Sequence, residues 1–157
     1  MQDIQSLFAD YASYHRTKGN KAFHRLGIPL IVLSLFGMLA RVHWTASYSL
    51  DIGGIHAAYG IDAATILIAA ATIYYAILEW RLAIPMLIVS LIFYAIGAAL
   101  PMSVNVALFI LGWIFQFIGH SVYEHKNPAF FRNFTHLLVG PLWILNDLIP
   151  VVKPRTA

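Results

Sequence analysis

Cysteine is absent from the 157 residues, which excludes a disulfide framework, thiolate metal sites and a cysteine nucleophile. Charge is scarce as well. Asp, Glu, Lys and Arg make up 11% of the chain, less than half the roughly 25% of an ordinary soluble domain. That is too little to cover a soluble surface, and it excludes disorder, a coiled coil and a nucleic-acid-binding module. The formal net charge of +3 comes from few ions and is no footprint for DNA. A glycine-rich phosphate loop and a nucleophile elbow are also missing. Ser121 beside His120 is no nucleophile–base pair, because adjacent helical residues diverge. The HxxxH and HxxHH boxes of membrane di-iron hydroxylases and desaturases are absent too.

What is present is apolar. Hydrophobic residues make up 60%, and the mean hydropathy is +0.72. The stretch Leu82 to Tyr123, 42 residues long, holds no Asp, Glu, Lys or Arg. Since a spanning helix needs about 20 mostly apolar residues, this is room for two spans joined at Leu100-Pro101-Met102-Ser103. Leu26 to Ala40, closed by Arg41, and Ala63 to Leu78, closed by Glu79-Trp80-Arg81, read as two shorter spans. The expectation is an all-α integral membrane protein, a single domain over 1–157. Its four transmembrane helices fall at about 26–42, 61–79, 82–100 and 103–122, with Pro29 and Pro85 near span starts, where proline costs least.

The basic residues orient the chain. With the N-terminus in the cytoplasm, nine of the ten Lys and Arg lie inside and only Arg41 outside, the positive-inside pattern for an N-in, C-in protein. The N-terminus does not read as a signal peptide, because Gln2 to Gln5 is polar. Residues 3–17 read instead as an amphipathic surface helix, with Ile4, Leu7, Phe8 and Tyr11 at helical spacing. Asp3 suits its N-cap, Gly19 the residue after its end, and Asn20 the cap of the next helix. Asn127-Pro128 should open a short C-terminal helix, about 128–139, that Gly140-Pro141 breaks. Leu142 to Ile149 is too short to span and reads as interfacial or re-entrant, with Trp143 as an interfacial anchor. Gly53-Gly54 is a turn in the outer loop, 41–60.

Seven histidines match the seven acids in number. His43 and His56 fall in the outer loop. His15, His24, His120, His125 and His136 all fall at the cytoplasmic end. Gln116, His120 and Glu124, spaced i, i+4 and i+8, form one polar stripe that is costly against lipid and should face the bundle interior. Neutral imidazole is the commonest ligand for iron, zinc, copper and nickel. Histidines from several helix ends can enclose such an ion and leave positions open. Interfacial polarity suffices for His43, His56 and His125, whereas His15, His24, His120 and His136 as a set point to a metal. Asn20, Gln116 and Glu124 then act as supporting partners, or Glu124 as a direct ligand. Spacing alone suits zinc as well as iron.

Three motifs carry a resemblance. Tyr14-His15-Arg16, Asn20-Lys21 and His24-Arg25-Leu26-Gly27-Ile28-Pro29 form the first. Gln116-Phe117-Ile118-Gly119-His120 with Glu124, Lys126 and Pro128-Ala129 forms the second, and His136-Leu137-Leu138 with Gly140-Pro141-Leu142 the third. Together they cover residues 6 to 148 and are similar to a family of small membrane 2-hydroxy fatty acid dioxygenases. The type member is the fungal endoplasmic-reticulum enzyme of phytosphingosine degradation. His125 stands where that pattern expects glycine, so no role is carried onto it, and Asn146-Asp147 also departs from it. The resemblance implies Fe(II), O2 and a long-chain 2-hydroxy fatty acid shortened by one carbon, with His15, His24, His120 and His136 essential. A substrate tail is then expected among the spans with its head meeting the metal, and Lys21 or Arg25 either pairs with its carboxylate or, as a positive-inside residue, touches lipid phosphates. The expected setting is the bacterial cytoplasmic membrane, or the endoplasmic reticulum of a eukaryote, with the site on the cytoplasmic side. A haem-binding membrane cytochrome and a non-catalytic lipid-binding protein are the alternatives, and visible absorption and metal content separate all three.

Overall fold

The computed structural model describes residues 3–44, 48–52, 55–59, 61–125 and 135–153. The body is helical. Its elements are α1 (Ile4–Ser13), α2 (Lys18–Leu39), a hairpin of β1 (Tyr48–Ile52) and β2 (Ile55–Tyr59), α3 (Ala63–Ala99), α4 (Met102–Ile118), a π-helical turn (Gly119–Glu124) and α5 (Thr135–Leu148). Three helical stretches, Lys18–Leu39, Ala63–Ala99 and Met102–Glu124, are long and apolar enough to cross a membrane.

Helix α1 starts where the sequence places it, because Asp3 Oδ1 accepts the Ser6 N–H at 2.7 Å. It ends earlier than expected, and Gly19 and Asn20 do not have the roles read for them. Tyr14 closes α1 in ordinary right-handed geometry (φ −96°, ψ −4°), so no glycine is needed. Thr17 is the N-cap of α2, its hydroxyl accepting the Asn20 N–H at 3.2 Å. Helix α2 therefore begins at Lys18, which makes Pro29 an interior residue. The apolar face of α1 is covered by protein: Leu7, Phe8 and Tyr11 form one cluster with Leu82 and Met86 of α3 and Leu142 and Leu145 of α5.

The sequence expects two helices over 61–100, and α3 is bent back on itself between them. Glu79 alone leaves helical geometry (φ −162°, ψ 98°), and its carboxylate accepts the Arg81 Nε–H at 3.1 Å. A straight helix would separate Asp62 from Tyr94 by about 48 Å, yet the Tyr94 hydroxyl donates to Asp62 Oδ2 at 2.7 Å. The two arms, 63–78 and 80–99, thus lie antiparallel. At the end where they start and finish, Phe36, Ala40, Ala64 and Ile68 make a second buried cluster. The connection read as an outer loop contains the hairpin, with Ile52 opposite Ile55. A Gly-Gly pair between two such runs is a hairpin signal; Gly53 and Gly54 themselves lie outside the described residues.

Residues 126–134, where the expected helix over 128–139 would begin, also lie outside them. Contrary to expectation, Gly140-Pro141 does not break α5, which runs through it to Leu148. Pro141 removes one helical hydrogen bond, a loss of up to about 3 kcal/mol. Burial of Val139, Leu142, Ile144 and Leu145 in the bundle outweighs it, and the Tyr75 hydroxyl pins the helix by donating to the Leu138 carbonyl at 2.7 Å. The same burial of Leu142, Ile144 and Leu145 fits the reading that this segment re-enters the protein.

Glycines set how closely the long helices approach. A Cβ on Gly97 would lie 2.5 Å from the Leu33 carbonyl oxygen and 2.8 Å from the Gly37 nitrogen, both backbone atoms that cannot swing aside. Gly97→Val should therefore force α2 and α3 apart and lower stability by at least about 1–3 kcal/mol. Gly19→Ala meets the ring of Tyr123, a side chain that is 43% exposed, rather than backbone, and should cost less. Thermal unfolding of the two variants in the same detergent checks the contrast.

Candidate metal centre

Three elements bring one histidine each to a single point. His15 sits in the joint between α1 and α2, His24 is two turns into α2, and His120 lies on the π-helical turn after α4. Their ring centroids are 4.4 Å (His15–His24), 4.9 Å (His15–His120) and 4.8 Å (His24–His120) apart. All three are at least 98% buried, and one nitrogen from each falls within 4.8 Å of the other two.

The backbone aims two of the rings. His15 Nδ1 is 2.6 Å from the Tyr11 carbonyl and His24 Nδ1 is 3.0 Å from the Asn20 carbonyl, each one helical turn back. A carbonyl only accepts, so each Nδ1 carries the proton and each Nε2 the lone pair. Tyr11 also stacks on His15 at 4.0 Å. Burial pushes the His15 imidazole down to about 4, the nearby Tyr11 carbonyl opposing the shift. The ring is thus neutral at pH 7 and its lone pair available. Burial raises the Tyr11 phenol above its ordinary value, so it stays protonated.

The orphaned polar atoms test whether a metal suits the site. His15 Nε2 and His120 Nδ1 are buried with no hydrogen-bond partner. Such an atom costs about 1–3 kcal/mol unless something satisfies it. Two orphaned imidazole nitrogens within a group of three neutral rings form the donor set that iron, zinc or copper accepts. The fit is good.

The other residues singled out from the sequence fall around this trio. His136 lines the same cavity of about 70 Å³ but stands outside the group of three. Its Nε2 is 2.8 Å from Asp10 Oδ2, and its Nδ1 is buried without a partner. Gln116 lines the cavity too, its Nε2 buried and unpartnered. Glu124 stands outside the group of three. Its carboxylate accepts the Arg16 N–H at 2.9 Å, the Thr17 N–H at 3.1 Å, the Thr17 hydroxyl at 3.0 Å and the Asn20 side-chain N–H at 3.1 Å. Asn20 also donates to the Tyr14 carbonyl at 3.1 Å.

Arg25 is ion-paired with Asp147, and Lys21 lies over the Trp143 ring at 5.8 Å; each has a protein partner in place of the substrate carboxylate suggested for it. The Trp143 ring, read from the sequence as an interfacial anchor, packs 5.3 Å from Tyr11 and 6.2 Å from His15. His43 is exposed at the opposite end of the bundle, where its backbone pairs with Asp62. His125 is exposed and left-handed (φ 52°), a conformation that favours glycine, the residue the motif led us to expect there. Sequence reasoning missed Tyr11, Asp10 and Thr17. Tyr11 was visible only as one apolar position of α1, and nothing in the spacing ties Asp10 to His136.

Comparison with known proteins agrees with this geometry. The family model described as 2-hydroxy-palmitic acid dioxygenase Mpo1-like matches residues 1–150. The 2-hydroxy-palmitic acid dioxygenase MPO1 of Saccharomyces cerevisiae is 28% identical over 152 residues, covering 94% of this chain and 80% of the yeast protein. No solved structure matches. With the family model spanning the three histidines and nearly the whole sequence, the chain belongs to the Mpo1-like family.

Proposed function

We propose that this protein is an Fe(II)-dependent dioxygenase that removes C1 from long-chain 2-hydroxy fatty acids. The observation that carries the reading is the buried trio His15, His24 and His120, with orphaned ring nitrogens, in a chain of the family named for such an activity. The reaction balances with one O2. The C1–C2 bond breaks, C1 leaves as CO2, C2 becomes the carboxyl of the shorter acid, and the four electrons released reduce O2 to one product oxygen and one water. Iron supplies the one-electron chemistry with O2 that side chains lack.

The chain's own groups do the rest. His15, His24 and His120 hold the ion, and His136 closes the cavity beside them. Gln116 Nε2 donates to the carboxylate or hydroxyl of the substrate, which ends its isolation. Tyr11 and the Tyr11 and Asn20 carbonyls fix the rings, and the buried setting excludes bulk water. A cavity of about 70 Å³ crossed by three converging rings leaves no slot for a porphyrin, which disfavours the haem reading.

On this reading α3, bent at Glu79, crosses the membrane twice, for four passages in all, and the nine inner basic residues favour both termini and the metal centre on the cytoplasmic side. Single cysteines test this cleanly, because the chain has none. Ser103→Cys should react with an impermeant maleimide in intact cells, and Lys153→Cys only after permeabilisation. A single passage through α3 would give the reverse.

Two measurements test the chemistry. His120→Ala should lose bound iron while His43→Ala keeps it, as read by elemental analysis of anaerobically purified protein. Chelation should abolish conversion of 2-hydroxypalmitate to the acid one carbon shorter, and Fe(II) but not Zn(II) should restore it. Under labelled O2 the product carboxyl should carry one labelled oxygen; product formed equally well without O2 would refute the reaction.

A further inference from the structure

We propose that the apolar groove between α2, the second arm of α3 and α5 seats the acyl chain of the substrate, and that Phe93 is its end stop. This rests on the function proposed above and adds the place where chain length is measured. The groove encloses about 270 Å³, and every side chain lining it is apolar. It adjoins the histidine cavity: Ile28, Val32 and Pro141 line both. An amphiphile with its head at the histidines therefore finds an apolar seat for its tail on the far side of those three residues.

The polarity of the two compartments fixes the orientation of such a molecule. Orphaned donors and acceptors, Gln116 Nε2 and the imidazole nitrogens, occur in the cavity, and the groove offers no polar side chain to a carboxylate. A larger cavity, about 430 Å³, is a poorer seat: it is lined by Lys21, Asp147 and Lys153 among others and shares no residue with the histidine cavity.

The groove also has two distinct ends. Leu148, at one, is 72% exposed, which leaves that end open to the surroundings. Phe93, at the other, packs against the buried cluster of Phe36, Ala40, Ala64 and Ile68, and that cluster fills the space beyond. From Met86 to Phe93 the wall runs two turns of helix, about 10 Å.

The iron-loaded protein in detergent, assayed on 2-hydroxydecanoate, 2-hydroxypalmitate and 2-hydroxyarachidate, tests this. Phe93→Ala should move the kcat/KM optimum to longer chains, by about fourfold for each further methylene buried. Val32→Trp should lower kcat/KM for 2-hydroxypalmitate by about tenfold or more, with iron content unchanged and 2-hydroxydecanoate least affected. Should Val32→Trp fail to fold, Phe93→Ala decides alone. A 2-hydroxypalmitate analogue with a terminal diazirine should label Phe93 or Met86 in the wild-type protein. Label confined to the outward-facing Ile88 and Ile92 would overturn the proposal, as would a chain-length profile unmoved by Phe93→Ala. Labelling at Phe93 by a wild-type protein that turns over none of the three acids would support the groove and refute the reaction instead.

Discussion

The carboxylate of Glu124 holds the centre together. His15 belongs to no helix. It lies in the short joint between α1 and α2, where an unsupported backbone would sample many conformations. Four donors from Arg16, Thr17 and Asn20 converge on the two oxygens of Glu124, and hydrogen bonds to an ionised acceptor are about twice as strong as neutral ones. They join the start of α2 to the π-helical turn, and the turn carries His120. One side chain thus ties together the segments that carry His15, His24 and His120. Gly119 completes the fit, since a Cβ there would lie 2.7 Å from Asn20 Oδ1 and 3.2 Å from His24 Nδ1.

The rings are aimed by main-chain carbonyls, and Glu124 is occupied by its four donors, so the gathered donor set is formally neutral. A divalent cation among three imidazoles in a buried, low-dielectric site calls for negative charge. Under the function proposed above, the substrate's own carboxylate would supply that charge. Arg25 and Lys21, with Asp147 and Trp143 already against them, do not compete for it.

Much of the architecture was legible in the sequence because its cause is local. Charge-free length marks the apolar helices, and Glu79-Trp80-Arg81 marks the bend between the arms of α3. The stripe Gln116, His120 and Glu124 pointed inward for reasons of cost alone. The joint near Gly19 was misread because Thr17 and Asn20 are both good caps, and only the geometry of Tyr14 decides between them. The run of α5 through Pro141 was illegible for a different reason: it depends on apolar contacts with α1 and α3, far away in sequence, which override the local rule. The separation of His136 from the trio has the same origin, since Asp10, 126 residues earlier, holds its Nε2.

The trio joins position 15 to position 120, so the centre closes a loop of more than a hundred residues. Chain growth from the N-terminus delivers His15 and His24 early, and each then has an orphaned or solvent-facing nitrogen until α4 has been synthesised and has docked against α2. No complete binding set exists in any shorter nascent chain. A metal held by all three histidines would therefore be acquired late in biogenesis, by chains whose last long helix is in place. Once bound, an ion would act as a cross-link between the first and last long helices, adding most where the loop it closes is longest. An ion held by the trio would in this sense report that the bundle is fully assembled.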